Sequence, residues 1–266
     1  MNPRPWLTTL LTTAESLPPR ESVMEAMNQI PGYETVHFQF VTEMPDRFIF
    51  RSPSATLAVS LADPEHEIPF ETLKASCARA WHWVEAAHEV SQATRQIVVA
   101  VLPEEDALEP LDVALLLTAL TVAVLKNVSA NAVFWNHSGM LHAPESFISH
   151  AQGMNRQAIP VELWIEFRLV LNSDLTLSIG TWGMKAFALA ELEVSHSRED
   201  AKWLLRWLFN LAHNMLEKGP LDTKSEHTFG HSDKESFTLK YEQTAPELGR
   251  GVLEEVLRVE FESARN

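Results

Sequence analysis

The sequence predicts an α+β protein, and three observations carry that prediction. Apolar and polar residues alternate strictly over 36–41, 55–61 and 161–171, the period of a β-strand. Apolar residues recur at helical spacing over 20–30, 70–89 and 197–218. One stretch, "LDVALLLTALTVAVL" at 111–125, is apolar on every side and is expected to be a helix buried in the middle of the molecule.

Taken in order, "WLTTLLTT" at 6–13 is rich in β-branched Thr and reads as a strand. After Pro18 and Pro19, Val23, Met27 and Ile30 mark a helix that Pro31-Gly32 ends. "TVHFQFV" sets Val36, Phe38 and Phe40 on one face of a strand, and "ATLAVSLA" does the same with Leu57, Val59 and Leu61. A helix follows from Phe70 to about Glu89, with Phe70, Leu73, Cys77, Ala80, Val84 and Ala87 as its buried stripe. "RQIVVAVL" at 95–102 reads as a strand covered on both faces. The order β-α-β-β-α-β is that of a ferredoxin-like unit.

A second half is expected beyond the acidic loop "PEEDALEP", giving a division into 1–105 and 106–266, packed as one compact unit. Past the apolar helix, "NAVFW" is a strand and "PESFISHA" a short helix. "VELWIEFRLVL" alternates best of all, with Val161, Leu163, Ile165, Phe167, Leu169 and Leu171 toward the core. Glu162, Trp164, Glu166 and Arg168 then face away. Asn172-Ser173-Asp174 turns the chain into "LTLSIGT", and "KAFALAELEV" adds a third antiparallel strand. Ser197 is the expected cap of a long helix closed by Gly219-Pro220. "SFTLKY" reads as a strand and "TAPELGRGVLEEVLRVEF" as a final helix. The second half is thus an antiparallel sheet with helices on one face.

The formal charge of −15 repels phosphate backbones and argues against nucleic acid as a partner. It would attract a protein partner with a basic surface, and the competing reading is that the acidity only keeps the protein soluble. The single cysteine, Cys77, allows no internal disulfide, and the N-terminal stretch lacks the apolar core of a secretory signal. The apolar run at 111–125 is too short to span a bilayer. A cytoplasmic protein without a membrane partner is expected.

Chemistry is harder to find. Glu191 and Glu193 lie two apart at the end of a strand and so share a face, where paired carboxylates can act as acid and base or hold a divalent ion. Phe187 and Leu189 precede them on that face, which also fits a buried strand surfacing into water. Histidines gather in "WNHSGMLH" (His137 and His142 about Ser138, with Glu145 and His150 beyond), in "HTFGH" (His227, His231) and in "WHWVEAAH" (His82, Glu85, His88). None has zinc-site spacing. There is no nucleophile elbow, phosphate loop or dinucleotide fingerprint, and Cys77 lies on an apolar stripe. No catalytic residue, metal ligand or cofactor is assigned.

"RQIVVAVL", "NAVFWNH", "HAPESF", "PVELWIEFRLVL", "SIGTWGMKAFALAELEV" and "HTFGHSDKESFTLKY" follow one another with an order and spacing similar to the family known as domain of unknown function 4261. The resemblance spans roughly 95–242. It implies a bacterial, cytosolic α+β protein and transfers no catalytic residue.

The expectation is a non-enzymatic protein-binding protein, such as an immunity protein or the accessory partner of a toxin or secreted effector. Its contact acids would be Glu104, Glu105, Asp106 and Glu109 in the loop, Glu162 and Glu166 on the strand, and Glu191 and Glu193. A metal-dependent hydrolase built on the His and Glu clusters, or a small-molecule-binding housekeeping protein, is the alternative.

Overall fold

Strand-forming segments separated by polar turns and two-sided helices sort the chain into two units, Met1–Trp164 and Ile165–Asn266. The structure is a computed structural model and describes residues 4–33, 38–105, 107–224, 227–228, 236–250 and 254–261.

The first unit runs β1 (Trp6–Thr12), α1 (Arg20–Asn28), β2 (Gln39–Met44), β3 (Arg47–Arg51), β4 (Ala55–Leu61), α2 (Phe70–Arg79), α3 (Ala86–Gln92), β5 (Arg95–Pro103), α4 (Pro110–Leu125), β6 (Ala130–Trp135), β7 (Met140–His142), α5 (Pro144–Ala151) and α6 (Val161–Trp164). Its strands form one sheet in the order β2-β3-β4-β5-β1-β6-β7, with every neighbouring pair antiparallel. A ferredoxin-like unit would place β1 between β4 and β5. Here β5 pairs with both, and the chain carries an additional strand, β3, and two helices where one was expected, so the ferredoxin-like unit is not formed. β5 and β6 both run against β1, and α4 is the crossover that joins them over it.

The sheet register puts Leu10, Ile97 and Val133 in one row and Thr8, Val99 and Trp135 in the next, all facing the side that α4 covers. α1 and α5 flank α4 on that side. Every residue of α4 from Val113 to Leu125 is buried, as expected of a helix apolar all round. Its two threonines direct their hydroxyls back to the carbonyls of Ala114 and Leu117, at 2.8 and 2.7 Å. Thr118 Oγ1 then accepts the buried indole N–H of Trp164 at 2.9 Å, and Trp164 stacks on Trp135. On the opposite side of the sheet α2 and α3 cover Leu11, Ala132, Phe134 and Leu141.

Several expectations need correction. The predicted helix over 70–89 is two helices, because the chain leaves helical geometry at Ala80 (ψ 55°). Leu73 and Ala80 are buried as predicted and Cys77 partly so, whereas Phe70, Val84 and Ala87 are exposed, and Ala86 and Val90 take their place. β3, "RFIFR", was not foreseen; its Phe48 and Phe50 face the core between charged ends. β5 is sealed on one face only: Ile97, Val99 and Val101 are buried, but Val98 and Ala100 are half-exposed. Val36 lies outside the described residues. The chain divides at Trp164/Ile165 and not at the acidic loop, because β1 hydrogen-bonds to both β5 and β6 across it.

The second unit runs β8 (Glu166–Leu171), β9 (Leu177–Trp182), β10 (Leu192–Ser197), α7 (Ala201–Lys218), β11 (His227–Thr228), β12 (Ser236–Gln243) and β13 (Glu255–Phe261). The sheet order is β11-β12-β13-β10-β9-β8. α7 packs on one face, where Trp203 and Trp207 meet Phe261, Trp207 meets Phe237 and Phe209 meets Phe167. Asp200 caps it, not Ser197: its carboxylate accepts from the N–H groups of Lys202 and Trp203, both at 3.0 Å.

The strand predicted over 161–171 begins only at Glu166, since 161–164 form a single helical turn. That turn buries Trp164, and Glu166 is buried as well, while Leu169 and Leu171 emerge. The predicted final helix is the strand β13, parallel to β10 and antiparallel to β12.

The Trp164–Thr118 bond is the polar lock on α4. Thr118→Val strands a buried indole donor and is expected to cost about 1–3 kcal/mol of unfolding free energy. Thr118→Ser keeps the bond and should cost less. Denaturant unfolding of the three proteins measures the difference, and equal losses for Val and Ser would show that the bond contributes nothing beyond shape.

Candidate functional site

The two acids singled out by the sequence follow a tight turn that leads into β10. β9 ends at Trp182, and Gly183 takes φ 118°, a conformation that side chains resist. A 3-10 turn, Met184–Phe187, follows, and Ala188 is also left-handed (φ 58°). Glu191 closes this turn from inside. Its carboxylate accepts the hydroxyl of Thr181 at 2.9 Å and the backbone N–H groups of Gly183 and Lys185 at 2.9 and 3.3 Å. The same Thr181 oxygen accepts the N–H of Leu192 at 2.8 Å, fixing the start of β10. Burial pushes the Glu191 carboxyl up despite these donors.

Glu193 is fully buried on the sheet face away from α7, with Gly180 and Arg258 as its neighbours across the strands. One carboxylate oxygen accepts the Thr244 hydroxyl at 2.5 Å and Arg250 Nε at 2.8 Å. The other accepts the Ala245 N–H at 3.0 Å and lies 3.5 Å from Arg258 Nη1. The Arg250 guanidinium also donates to the Thr181 carbonyl and stacks on Trp182, 3.7 Å from the ring centre. Arg168 stacks on the same indole at 3.9 Å and holds Glu166 at 2.5 Å. Gly180 is required beneath them, because a Cβ there would lie 3.0 Å from Arg250 Nη2 and 3.3 Å from Glu193 Cγ.

This belt consumes its own acids. Glu166, Glu191 and Glu193 are buried with hydrogen-bond partners of their own, so they cannot face a partner protein as the sequence suggested. They are also not a carboxylate pair sharing a proton, since each has a separate donor set. Glu162 is half-buried in the single helical turn of α6. Glu109 is exposed but joins Asp112 in holding Arg156, at 2.8 and 2.5 Å. Glu104 and Glu105 are exposed and make no ion pair among the described residues, and Asp106 lies outside those residues.

The histidine clusters meet only in part: the His82 and His142 rings lie 6.4 Å apart. Among the described residues, no group of three or more His, Cys, Asp or Glu side chains could hold a metal ion. His142 is buried against Phe147, donates from Nε2 to the Leu163 carbonyl at 3.2 Å, and is pushed down to about 3 by burial. His137 packs on Trp6 and is pushed down to about 4, again by burial. Ser138 is buried, and its hydroxyl makes no hydrogen bond among the described residues. Glu145 and His150 are exposed. His82 and Glu85 sit in the break between α2 and α3, so they do not share a helix face with His88; His231 lies outside the described residues. Burial also raises the Cys77 thiol, which keeps it protonated.

Two features escaped the sequence reading. The break between α2 and α3 presents Trp81 and Val84 to solvent, at 78% and 90% exposure. A cavity of about 330 Å³ opens in the first unit beside Tyr33, Asp112 and Arg156. The Ala80–Glu85 break had no glycine or proline to announce it, and the cavity joins residues far apart in sequence. No family profile, curated protein or solved structure matches the chain.

Removing half of a buried ion pair leaves the other charge stranded, so Glu193→Gln should destabilise the second unit by roughly 3–5 kcal/mol. Thermal or denaturant unfolding tests this; a loss below about 1 kcal/mol would mean that Arg250 finds another partner. Glu191 adds a pH signature. A carboxyl raised on folding contributes stability that is complete below its unfolded value and fades as pH rises through its folded one. The stability of wild type minus that of Glu191→Gln should therefore shrink between mildly acidic and neutral pH. A difference independent of pH would contradict the raised value.

Proposed function

We propose that this chain works by binding another protein, and that the partner docks on the turn between α2 and α3. The observation that carries this reading is the division of labour in that turn. Trp83 packs inward against the Leu11–Leu73–Phe134 cluster. Trp81 and Val84 on either side of it point into water. The backbone is held by short-range hydrogen bonds, Trp81 N–H to Arg79 at 2.8 Å and Trp83 N–H to Ala80 at 2.9 Å. An exposed Trp on an anchored turn loses little entropy when it is covered, and Trp is enriched among residues that dominate interface energies.

The partner's surface is expected to be basic. The chain carries −15, and Glu85 beside Val84 and Glu104 and Glu105 in the acidic loop are exposed. Such charges raise the association rate more than the final affinity. Neutralising a toxin or accompanying a secreted effector is the role we favour. It is supported by the acidity, and it rests on analogy and not on a site.

Co-purification from the native host tests both parts. Wild type should recover one basic protein in stoichiometric amount. Trp81→Ala with Val84→Ser should lose it, by about thirtyfold or more in affinity, while unfolding free energy stays within about 0.5 kcal/mol. Glu104→Lys with Glu105→Lys should slow association at low salt and have no effect near 1 M, where the screening length is about 3 Å. No stoichiometric partner, or one held equally well by the Trp81 variant, would sink the proposal.

A further inference from the structure

We propose that the cavity beside Tyr33 binds a small organic cation with an apolar body. The site is independent of the α2–α3 turn. Several segments of the first unit build it: the Pro31–Tyr33 turn after α1, Phe38 before β2, the Ser52–Ser54 turn between β3 and β4, Leu108 with the first two turns of α4, and residues 154–156 after α5. Its volume of about 330 Å³ lies at the small end of ligand pockets, which excludes a dinucleotide or a long lipid.

The charge balance selects the ligand's sign. Among the described residues Arg156 is the one cation lining the cavity, and it is already committed: Nε and Nη2 bind the two oxygens of Asp112 at 2.8 and 2.5 Å, and Nη2 also binds Glu109 at 2.8 Å. Two carboxylates against one guanidinium leave a surplus negative charge with spare acceptor lone pairs. An anion would have to displace one of these acids. A cation adds to them.

The remaining polar groups narrow the choice further. Ser52 Oγ is occupied by its own turn, accepting the N–H groups of Ser54 and Ala55 at 3.3 and 3.0 Å. Tyr33 is different. Its hydroxyl makes no hydrogen bond among the described residues, and burial with the negative charge of Asp112 holds it protonated. A neutral phenol beside a carboxylate offers one donor, one acceptor and a ring face. Leu115, Leu116 and Met154 form an apolar wall, and Phe38 adds a second aromatic ring. Aromatic rings attract a cation held over them, and a thioether adapts to the shape of a flat ring. A purely apolar ligand would cover Asp112 and the Tyr33 hydroxyl without satisfying them, which is unfavourable.

Benzamidinium is the probe, with benzoate and benzyl alcohol as the anionic and neutral controls of similar shape. Benzamidinium should raise the melting temperature of the protein in a concentration-dependent way by mass action, with a dissociation constant below about 1 mM. Benzoate should bind at least tenfold more weakly. Tyr33→Phe should weaken benzamidinium severalfold. Asp112→Asn should erase the preference for the cation, but it also breaks the Arg156 pair. Ser54→Phe avoids that difficulty: it fills the cavity from its rim, leaves both acids in place, and should abolish binding.

Benzamidinium binding that survives Ser54→Phe is general attraction to an acidic surface and overturns the site. So does equal binding of benzoate, or no melting shift at about 10 mM benzamidinium. Trp81→Ala should bind the probe like wild type, so this result and the search for a protein partner fail or succeed separately. A free amine and a lysine or arginine side chain present the same chemistry. Competition between benzamidinium and a captured basic partner would identify the side chain as the source, and its absence the free amine.

Discussion

A helix with no polar side must be enclosed on every side, and α4 imposes that constraint on the whole first unit. It has no face to turn toward water, so the sheet lies under it and α1 and α5 lie beside it. It also fixes topology. As the crossover between β5 and β6, it carries the chain over β1, which leaves β1 between those two strands in the interior of the sheet. Burying the helix from Val113 to Leu125 completely leaves two hydroxyls to satisfy. Both are satisfied along the helix itself, and one of them is then reused to hold Trp164.

The second unit solves a different problem. Its sheet has one apolar face, covered by α7, and one face that carries Glu193, Arg258, Arg168 and Glu166. A charged face can be buried only if its charges are paired and hydrogen-bonded. The segment from Thr244 to Arg250 does this by laying a hydroxyl, a backbone N–H and a guanidinium over Glu193. The two arginines on opposite faces of Trp182 extend the belt with cation–π contacts. Such a belt also specifies one register of the strands, because a one-residue slip would place Glu193 against α7.

Much of this was legible from short-range pattern. β1, α1, β4, α4, β6 and α5 are where period and composition put them, since each has a local signal that agrees with its burial. The errors fall where local and tertiary signals disagree. "VELWIEFRLVL" alternates well enough to be a strand throughout, but Val161–Trp164 closes a helical turn that seats Trp164 between Trp135 and α4. "GRGVLEEVLRVEF" has acids and leucines at helical spacing, yet β10 and β12 both lack a neighbour without it, and pairing on two sides outweighs propensity. Phe48 and Phe50 alternate as a strand should, but Arg47 and Arg51 at the ends of that short segment hid it.

The acids show the same limit most sharply. Sequence alone ranks Glu191 and Glu193 with Glu104 and Glu105 as carboxylates close together in a short stretch. What separates them is whether a donor from a distant segment arrives, and the donors for Glu193 come from positions more than fifty residues away. Net charge cannot report that. A chain at −15 can bury several of its acids in structural pairs and still present a strongly acidic surface, because each buried Glu–Arg pair removes one charge of either sign from view. The acids open to a partner are therefore those whose neighbourhood supplies no base. Among the described residues Glu85 and the loop acids Glu104 and Glu105 meet that condition, while Glu109, a few residues on from the loop acids, is already held by Arg156 at the cavity.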